Sequence, residues 1–269
     1  MLMYAYAVYC DSEVLTSWSC EFCRSPINEG PLVIKNFFGK ETSNSFGFIG
    51  IRGDTIIVAF RGTQSTNVNN LFTDARIPYA LWNETEPNVK VHQGFYLAYL
   101  NLQTQARFGL KSARAACPDC KNLWVTGHSL GAALSVLYLF DVAGQDLTAG
   151  LHVSTYLFGP PRIGNEAFVN SFVSKVGLDN IWRLCEGRDV IPHFPGRFGS
   201  DPYQQLPHEV WYHPDDDESY DICLKAEDSH CSNNLPALLY NIGDHLRYMG
   251  IRSDLCQRTD KPFLSGIFD

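Results

Sequence analysis

The chain has 269 residues, with 21 basic against 29 acidic side chains and a formal net charge of -8. That length can bury one large core, and with no internal repeat or long Ser/Gly/Pro linker the expectation is one domain over residues 1–269. The acidic balance excludes the broad positive field that nucleic acid or an anionic membrane requires, and no run reaches the roughly 20 apolar residues that cross a bilayer.

The start, Met1 to Val8, lacks the basic segment and length of a secretory signal, which leaves a trimmed leader open. Phe46–Ile51 and Thr55–Phe60 are strand-like runs around Arg52-Gly53-Asp54, the pattern of an antiparallel hairpin. Residues from about Gly94 to Ala116 suit a long helix with Leu97, Leu100 and Leu110 on or near its buried side. Leu123-Trp124-Val125 reads as a central strand, and Leu130 to Phe140 as a mostly apolar helix. Val153–Phe158 is the next strand, closed by Gly159-Pro160-Pro161. Phe168, Phe172 and Val176 then recur at helical spacing, and Ile181–Cys185 and Glu209–Tyr212 are later strands. The turn-rich segment Pro192 to Pro207 and the polar stretch around Pro214 read as surface loops. This alternation predicts an α/β fold, whose functional groups gather in the loops beyond the carboxyl ends of the strands.

Between the central strand and its helix lies Gly127-His128-Ser129-Leu130-Gly131. A G-x-S-x-G between strand and helix is the pattern of a nucleophile elbow, with Ser129 at a helix N-terminus where backbone N–H groups favour negative charge. It points to acyl transfer through a covalent ester. A serine nucleophile needs a base, and the base needs a carboxylate to set its tautomer. In the order Ser, acid, His, the candidate bases are His193, His208, His213, His230 and His245. His245 is favoured because Ile242-Gly243-Asp244-His245 follows the last strand and is free to fold back. For the acid, Asp189 comes one short turn after the Ile181–Cys185 strand. Asp201 lies in a turn-rich loop, Asp215, Asp216 and Asp217 form a run that is normally solvated, and Asp244 is too constrained by its adjacency to His245. His128 and His92 are expected to brace or to satisfy backbone groups, outside the catalytic set. The backbone N–H of Leu130 and the N–H and hydroxyl of Thr63 are the candidate oxyanion donors.

Nine cysteines favour an oxidising compartment and a secreted protein. Cys10 and Cys256 lie near the two ends, where a bond would restrict the unfolded chain by about 5 kcal/mol. Cys20/Cys23 and Cys117/Cys120 are close pairs, and Cys223/Cys231 bracket a polar loop. The two C-x₂-C pairs leave a four-thiolate zinc site or a redox pair as alternatives to structural disulfides. Four bridges would leave Cys185 as a buried thiol. Asn83-Glu84-Thr85 is a glycosylation acceptor sequence. The chemistry requires no metal or organic cofactor, and Asp215–Glu218 lacks the Gly and terminal Glu of an EF-hand loop.

Five segments carry a more specific signal: Ala59-Phe60-Arg61-Gly62-Thr63, Val91-His92-Gln93-Gly94-Phe95, Val125 to Ala133, Phe158 to Asn165 and Asp244 to Ile251. Together they resemble the class 3 fungal lipase family, nearly end to end. The resemblance implies an α/β-hydrolase with a predominantly parallel central sheet flanked by helices, a Ser129–Asp189–His245 triad and an oxyanion hole at Thr63 and Leu130. It also implies the disulfides Cys10–Cys256, Cys20–Cys23 and Cys223–Cys231, with Cys117–Cys120 as an additional pair found in some members. The family's lid falls near residues 65–72, where Val68, Leu71 and Phe72 offer an apolar underside but Asn67, Asn69 and Asn70 make the segment polar. Ile77 to Trp82 would either contact an acyl chain or aromatic acid, or pack beneath the lid. The implied substrate is an acylglycerol, met through transient lid contact with a lipid–water interface and without an obligate protein partner. A feruloyl or small-ester esterase, a phospholipase and a non-catalytic lipid-binding protein are the alternatives.

Overall fold

The computed structural model describes residues 1–24, 32–41, 45–63 and 78–258; the expected lid at 65–72 lies outside them. The strands are β1 (Val33–Gly39), β2 (Phe46–Arg52), β3 (Thr55–Phe60), β4 (Tyr79–Leu81), β5 (Lys90–His92), β6 (Asn122–His128), β7 (His152–Phe158), β8 (Gly164–Asn165), β9 (Ile181–Glu186), β10 (Tyr203–Gln204), β11 (Glu209–Tyr212) and β12 (Tyr220–Cys223). The helices are α1 (Leu2–Ala7), α2 (Ser12–Thr16), α3 (Gln93–Ala116), α4 (Leu130–Val142), α5 (Glu166–Val176) and the single turn α6 (Ile242–His245).

The described residues form a main sheet in the order β1-β2-β3-β6-β7-β9-β11-β12. Strands β3, β6, β7, β9 and β11 are parallel, while β1, β2 and β12 add antiparallel edges. This is the α/β architecture expected, with α3, α4 and α5 in turn between β3, β6, β7 and β9. Because side chains alternate across a strand, β3 feeds two cores. Ile56, Val58 and Phe60 pack with α3, α4 and α5 on one face, and Ile57 and Ala59 pack with Tyr6, Val8 and the rest of the N-terminal segment on the other.

Helix α4 is buried around nearly its whole circumference. Its one carboxylate, Asp141, accepts hydrogen bonds from Tyr99 Oη at 2.6 Å and Arg107 Nη1 at 3.0 Å. On α3 the buried positions are Phe95, Tyr99, Leu102, Ala106, Gly109, Leu110 and Ala113, a stripe at helical spacing that corrects the expected face. Leu97 and Leu100 are exposed, since a residue two positions from Phe95 or Leu102 is turned away from that stripe. The segment from Pro192 to Pro207 is also more than a surface loop. Tyr203, Gln205 and Leu206 are buried, and β10 pairs with β8.

Candidate active site

Strand β6 ends at His128, and Ser129 then takes φ 61° and ψ -129°, a backbone state that costs a non-glycine residue about 1–3 kcal/mol. The surroundings hold it there. Ser129 N–H donates to the Phe158 carbonyl at 2.9 Å, and the Ser129 carbonyl accepts from Ala132 and Ala133 of α4. A Cβ on Gly131 would stand 2.2 Å from the Phe60 carbonyl oxygen, and one on Gly127 would stand 2.3 Å from the Gly131 carbonyl carbon. Only glycine at both positions lets α4 begin directly against the ends of β3 and β6.

Asp189 follows β9 and is fully buried. Its Oδ2 accepts from His245 Nδ1 at 2.8 Å and from Tyr248 Oη at 2.5 Å, while Oδ1 accepts from Ile191 N–H at 2.8 Å. A carboxylate can only accept, so the neutral imidazole carries its proton on Nδ1 and leaves Nε2 as the basic face. His245 closes α6, whose N-terminus is capped by the Asn241 side chain accepting from Asp244 N–H at 2.9 Å. Asn241 also bridges to Asp189 through the backbone, so Asp189 and the His245 turn are joined twice.

Gly159 joins this pair to the elbow. At φ +56° it is favourable for glycine, and a Cβ there would lie 2.7 Å from Asp189 Oδ2 and 2.9 Å from His245 Cε1. The residue before it, Phe158, holds the Ser129 amide. Among the described residues, Ser129 Oγ, His245 Nε2 and Thr63 Oγ1 are buried without hydrogen-bond partners. Buried polar atoms are normally paired, and these three lie in the segments expected to hold nucleophile, base and oxyanion donor. Gly62 packs beside the serine, since a Cβ on it would be 3.1 Å from Ser129 Cβ. Leu130 is the first residue of α4, where helical N–H groups lack intrahelical acceptors.

The rival groups are engaged elsewhere. Asp201 pairs with Lys90 at 2.8 Å and accepts from Asn165, Asp215 pairs with Arg188, Asp217 with Arg247, and Asp216 accepts from Ser219. Asp244 Oδ2 accepts from the Arg188 amide at 2.7 Å. His213 pairs with Asp221 and His230 with Asp228, and His208 lies against Trp182. His193 stacks on Tyr240 at 4.1 Å, and burial pulls its imidazole down to about 4. His92 accepts the Phe95 N–H and so caps α3; burial likewise lowers it to about 4. His128 stacks on His245 with ring centroids 4.4 Å apart.

Tyr248 and Tyr9 were not singled out from the sequence. Tyr248 lies inside the Asp244 to Ile251 segment that carries the family resemblance, three positions after His245 and with no role of its own assigned there. Trp82 is half-buried and packs on Tyr96, Tyr99 and Phe140 at the margin of the core, and Tyr79 packs on Tyr203.

Disulfides join Cys10–Cys256, Cys20–Cys23, Cys117–Cys120 and Cys223–Cys231. Cys185 is a buried free thiol, pushed up by burial. Each C-x₂-C pair closes on itself, so neither offers thiolates to a shared zinc ion. The Asn83 Oδ1 accepts from Thr85 Oγ1 at 2.9 Å and from Glu86 N–H at 2.8 Å in a surface turn.

The model of the family described as Lipase (class 3) matches residues 57–199, which include the elbow, Thr63 and Asp189. This chain belongs to the class 3 lipase family. It is similar to the lipase of Rhizomucor miehei, 32% identical over 213 residues that cover 76% of this chain and 55% of that one. It is also similar to a secreted mono- and diacylglycerol lipase of Malassezia globosa, 32% identical over 197 residues that cover 71% and 62% of the two chains. The chain therefore spans less than two thirds of the length of either of these relatives. Against the solved structure of the Rhizomucor miehei triacylglyceride lipase the TM-score is 0.78 at 27% identity, covering 94% of this chain and 93% of that one.

Proposed function

We propose that this class 3 lipase is a secreted serine ester hydrolase that cleaves acylglycerols, triacylglycerol foremost, through an acyl-enzyme. The observation that carries the reading is the buried Asp189–His245 hydrogen bond, which leaves His245 Nε2 unpaired, together with an unpaired, strained Ser129 whose amide is held by Phe158, the residue before the Gly159 that abuts both Asp189 and His245.

In this mechanism Nε2 takes the hydroxyl proton as Ser129 Oγ attacks the ester carbon. The oxygen that becomes negative is held by the Leu130 N–H and by Thr63. Nε2–H then protonates the leaving alcohol as its C–O bond breaks, and a water activated by the same nitrogen releases the fatty acid and restores Ser129. Asp189 keeps the Nδ1–H tautomer and stabilises the imidazolium in both halves. Four disulfides suit an oxidising compartment, and the Malassezia globosa relative is a secreted lipase. On a secreted chain the exposed turn at Asn83 is the glycan acceptor.

Treatment with a serine-directed phosphonate, followed by peptide mass analysis, should place the adduct on Ser129. Failure of the folded protein to label or to hydrolyse any ester would overturn the reading in favour of a non-catalytic lipid binder. Rates on mono-, di- and triacylglycerols, phospholipids and methyl ferulate, below and above the concentration at which substrate forms an interface, then assign the ester. A preference for mono- and diacylglycerols is the second reading, favoured by the Malassezia globosa relative. A rate jump confined to insoluble triacylglycerol would exclude it.

A further inference from the structure

The mechanism leaves one feature of the site unused, a buried polar path beneath the nucleophile. The His245 carbonyl oxygen lies 2.7 Å from His128 Nε2, and His128 Nδ1 lies 3.0 Å from Tyr9 Oη. His128 is 2% exposed and Tyr9 6%. The Tyr9 oxygen in turn lies against Gly62, where a Cβ would come within 2.3 Å of it. The path thus starts at the backbone of the proposed base and ends one residue before Thr63.

The proton positions along it follow from donor chemistry. A carbonyl only accepts, so His128 Nε2 carries the hydrogen; in the neutral ring Nδ1 is then bare and accepts from Tyr9 Oη–H. The Tyr9 oxygen keeps its lone pairs for the Gly62 segment that it packs against. Burial lowers His128 well below the ordinary histidine range, and the neighbouring His245 adds to this; burial also raises Tyr9. The path therefore stays neutral while His245, stacked on His128, gains and loses its charge. A second proton on His128 would reverse the Nδ1 contact and set two cations face to face at 4.4 Å.

We propose that Tyr9 and His128 are positioning residues that tie the His245 backbone to the oxyanion loop at Gly62–Thr63, keeping base and oxyanion donors in register around Ser129. This rests on the ester-hydrolase reading and adds a role that the triad alone does not require. The substitution Tyr9→Phe keeps the ring in its packing and removes only the hydroxyl. His128→Gln retains one donor and one acceptor at the two ends of the side chain, whereas His128→Leu retains neither.

The test is steady-state hydrolysis of a soluble short-chain p-nitrophenyl ester by the full chain, with thermal midpoints recorded for every variant. Tyr9→Phe should lower kcat ~10-fold and His128→Leu ~10²-fold, both with KM within about twofold of wild type, because a misplaced catalytic group costs turnover more than ground-state binding. His128→Gln should recover most of the His128→Leu loss. In the Tyr9→Phe/His128→Leu double variant the fall should be no larger than for His128→Leu alone, as for groups acting in series. Wild-type kcat in folded Tyr9→Phe, or equal losses in His128→Gln and His128→Leu, would overturn the proposal and leave the triad intact. An inert but folded wild type would overturn the ester-hydrolase reading itself, and this inference with it.

Discussion

The two halves of the site are held in place by different physics. The Ser129 elbow is fixed by backbone and packing: β6 lies inside the parallel sheet, α4 is buried nearly all round, and the glycines at 127 and 131 admit no side chain. The His245 segment is buried too, with His245 stacked on His128 and Tyr248 packed on Phe158, but its position rests more on polar contacts. It is a one-turn helix after two short 3₁₀ turns, held by polar contacts to the end of β9: Asn241 to Asp189, Asp244 to the Arg188 amide, Tyr248 to Asp189, and the Met249 amide to Glu186 at 2.9 Å. The Ser129 elbow should thus tolerate single polar changes around it, while the proposed base, His245, draws on several.

That contrast can be broken or sharpened by substitution. The largest effect is expected for Ser129→Ala, which should cut ester hydrolysis by ~10⁵-fold or more while the thermal midpoint stays near wild type, because the elbow is set by its neighbours. A large fall in the midpoint would show that the hydroxyl supports the fold. Next, Thr63→Ala should lower kcat by ~10²-fold if the hydroxyl reaches the oxyanion; unchanged kcat on a soluble ester would leave only the Thr63 backbone in that role. In the base segment, Tyr248→Phe removes one hydrogen bond to a buried carboxylate. About 1.5 kcal/mol is the usual worth of such a bond, so kcat should drop about tenfold, and a loss below twofold would show that the other Asp189 contacts suffice.

The smallest effect concerns stability and its pH dependence. Burial raises Glu186 from 4.5 to about 7, with the Met249 amide opposing and Asp217 and Asp244 adding to the rise against Arg247. The folded state therefore holds a proton that the unfolded chain releases near 4.5. Stability falls as pH rises through the window from 4.5 to about 7. Glu186→Gln keeps an acceptor for Met249 and should flatten this part of the thermal-midpoint profile; an unaltered slope would assign the dependence to other groups.

The elbow was legible in the sequence because everything it needs is local: an apolar strand, two glycines and a helix start within about a dozen residues. The strands and helices of the parallel region were legible for the same reason, through alternation and helical spacing. Leu97 and Leu100 were misplaced because local hydrophobicity does not say which side of α3 meets the sheet. The Pro192–Pro207 segment read as a loop since its composition is turn-rich, yet Tyr203, Gln205 and Leu206 are buried by contacts from distant parts of the chain.

The sequence by itself determined that one serine sits on a strained strand-to-helix turn in an α/β fold, since that depends on steric limits within a few residues. It also named Asp189 and His245 as partners, through chain order and family resemblance. Only the tertiary structure decided which atoms meet: the Nδ1 contact to Asp189, the Tyr248 hydroxyl on the same oxygen, and Tyr9 and His128 under the base. Those contacts join residues 56, 59, 119 and 117 positions apart. Over such separations no local rule fixes which donor faces which acceptor; the packing of the sheet and its connecting loops does.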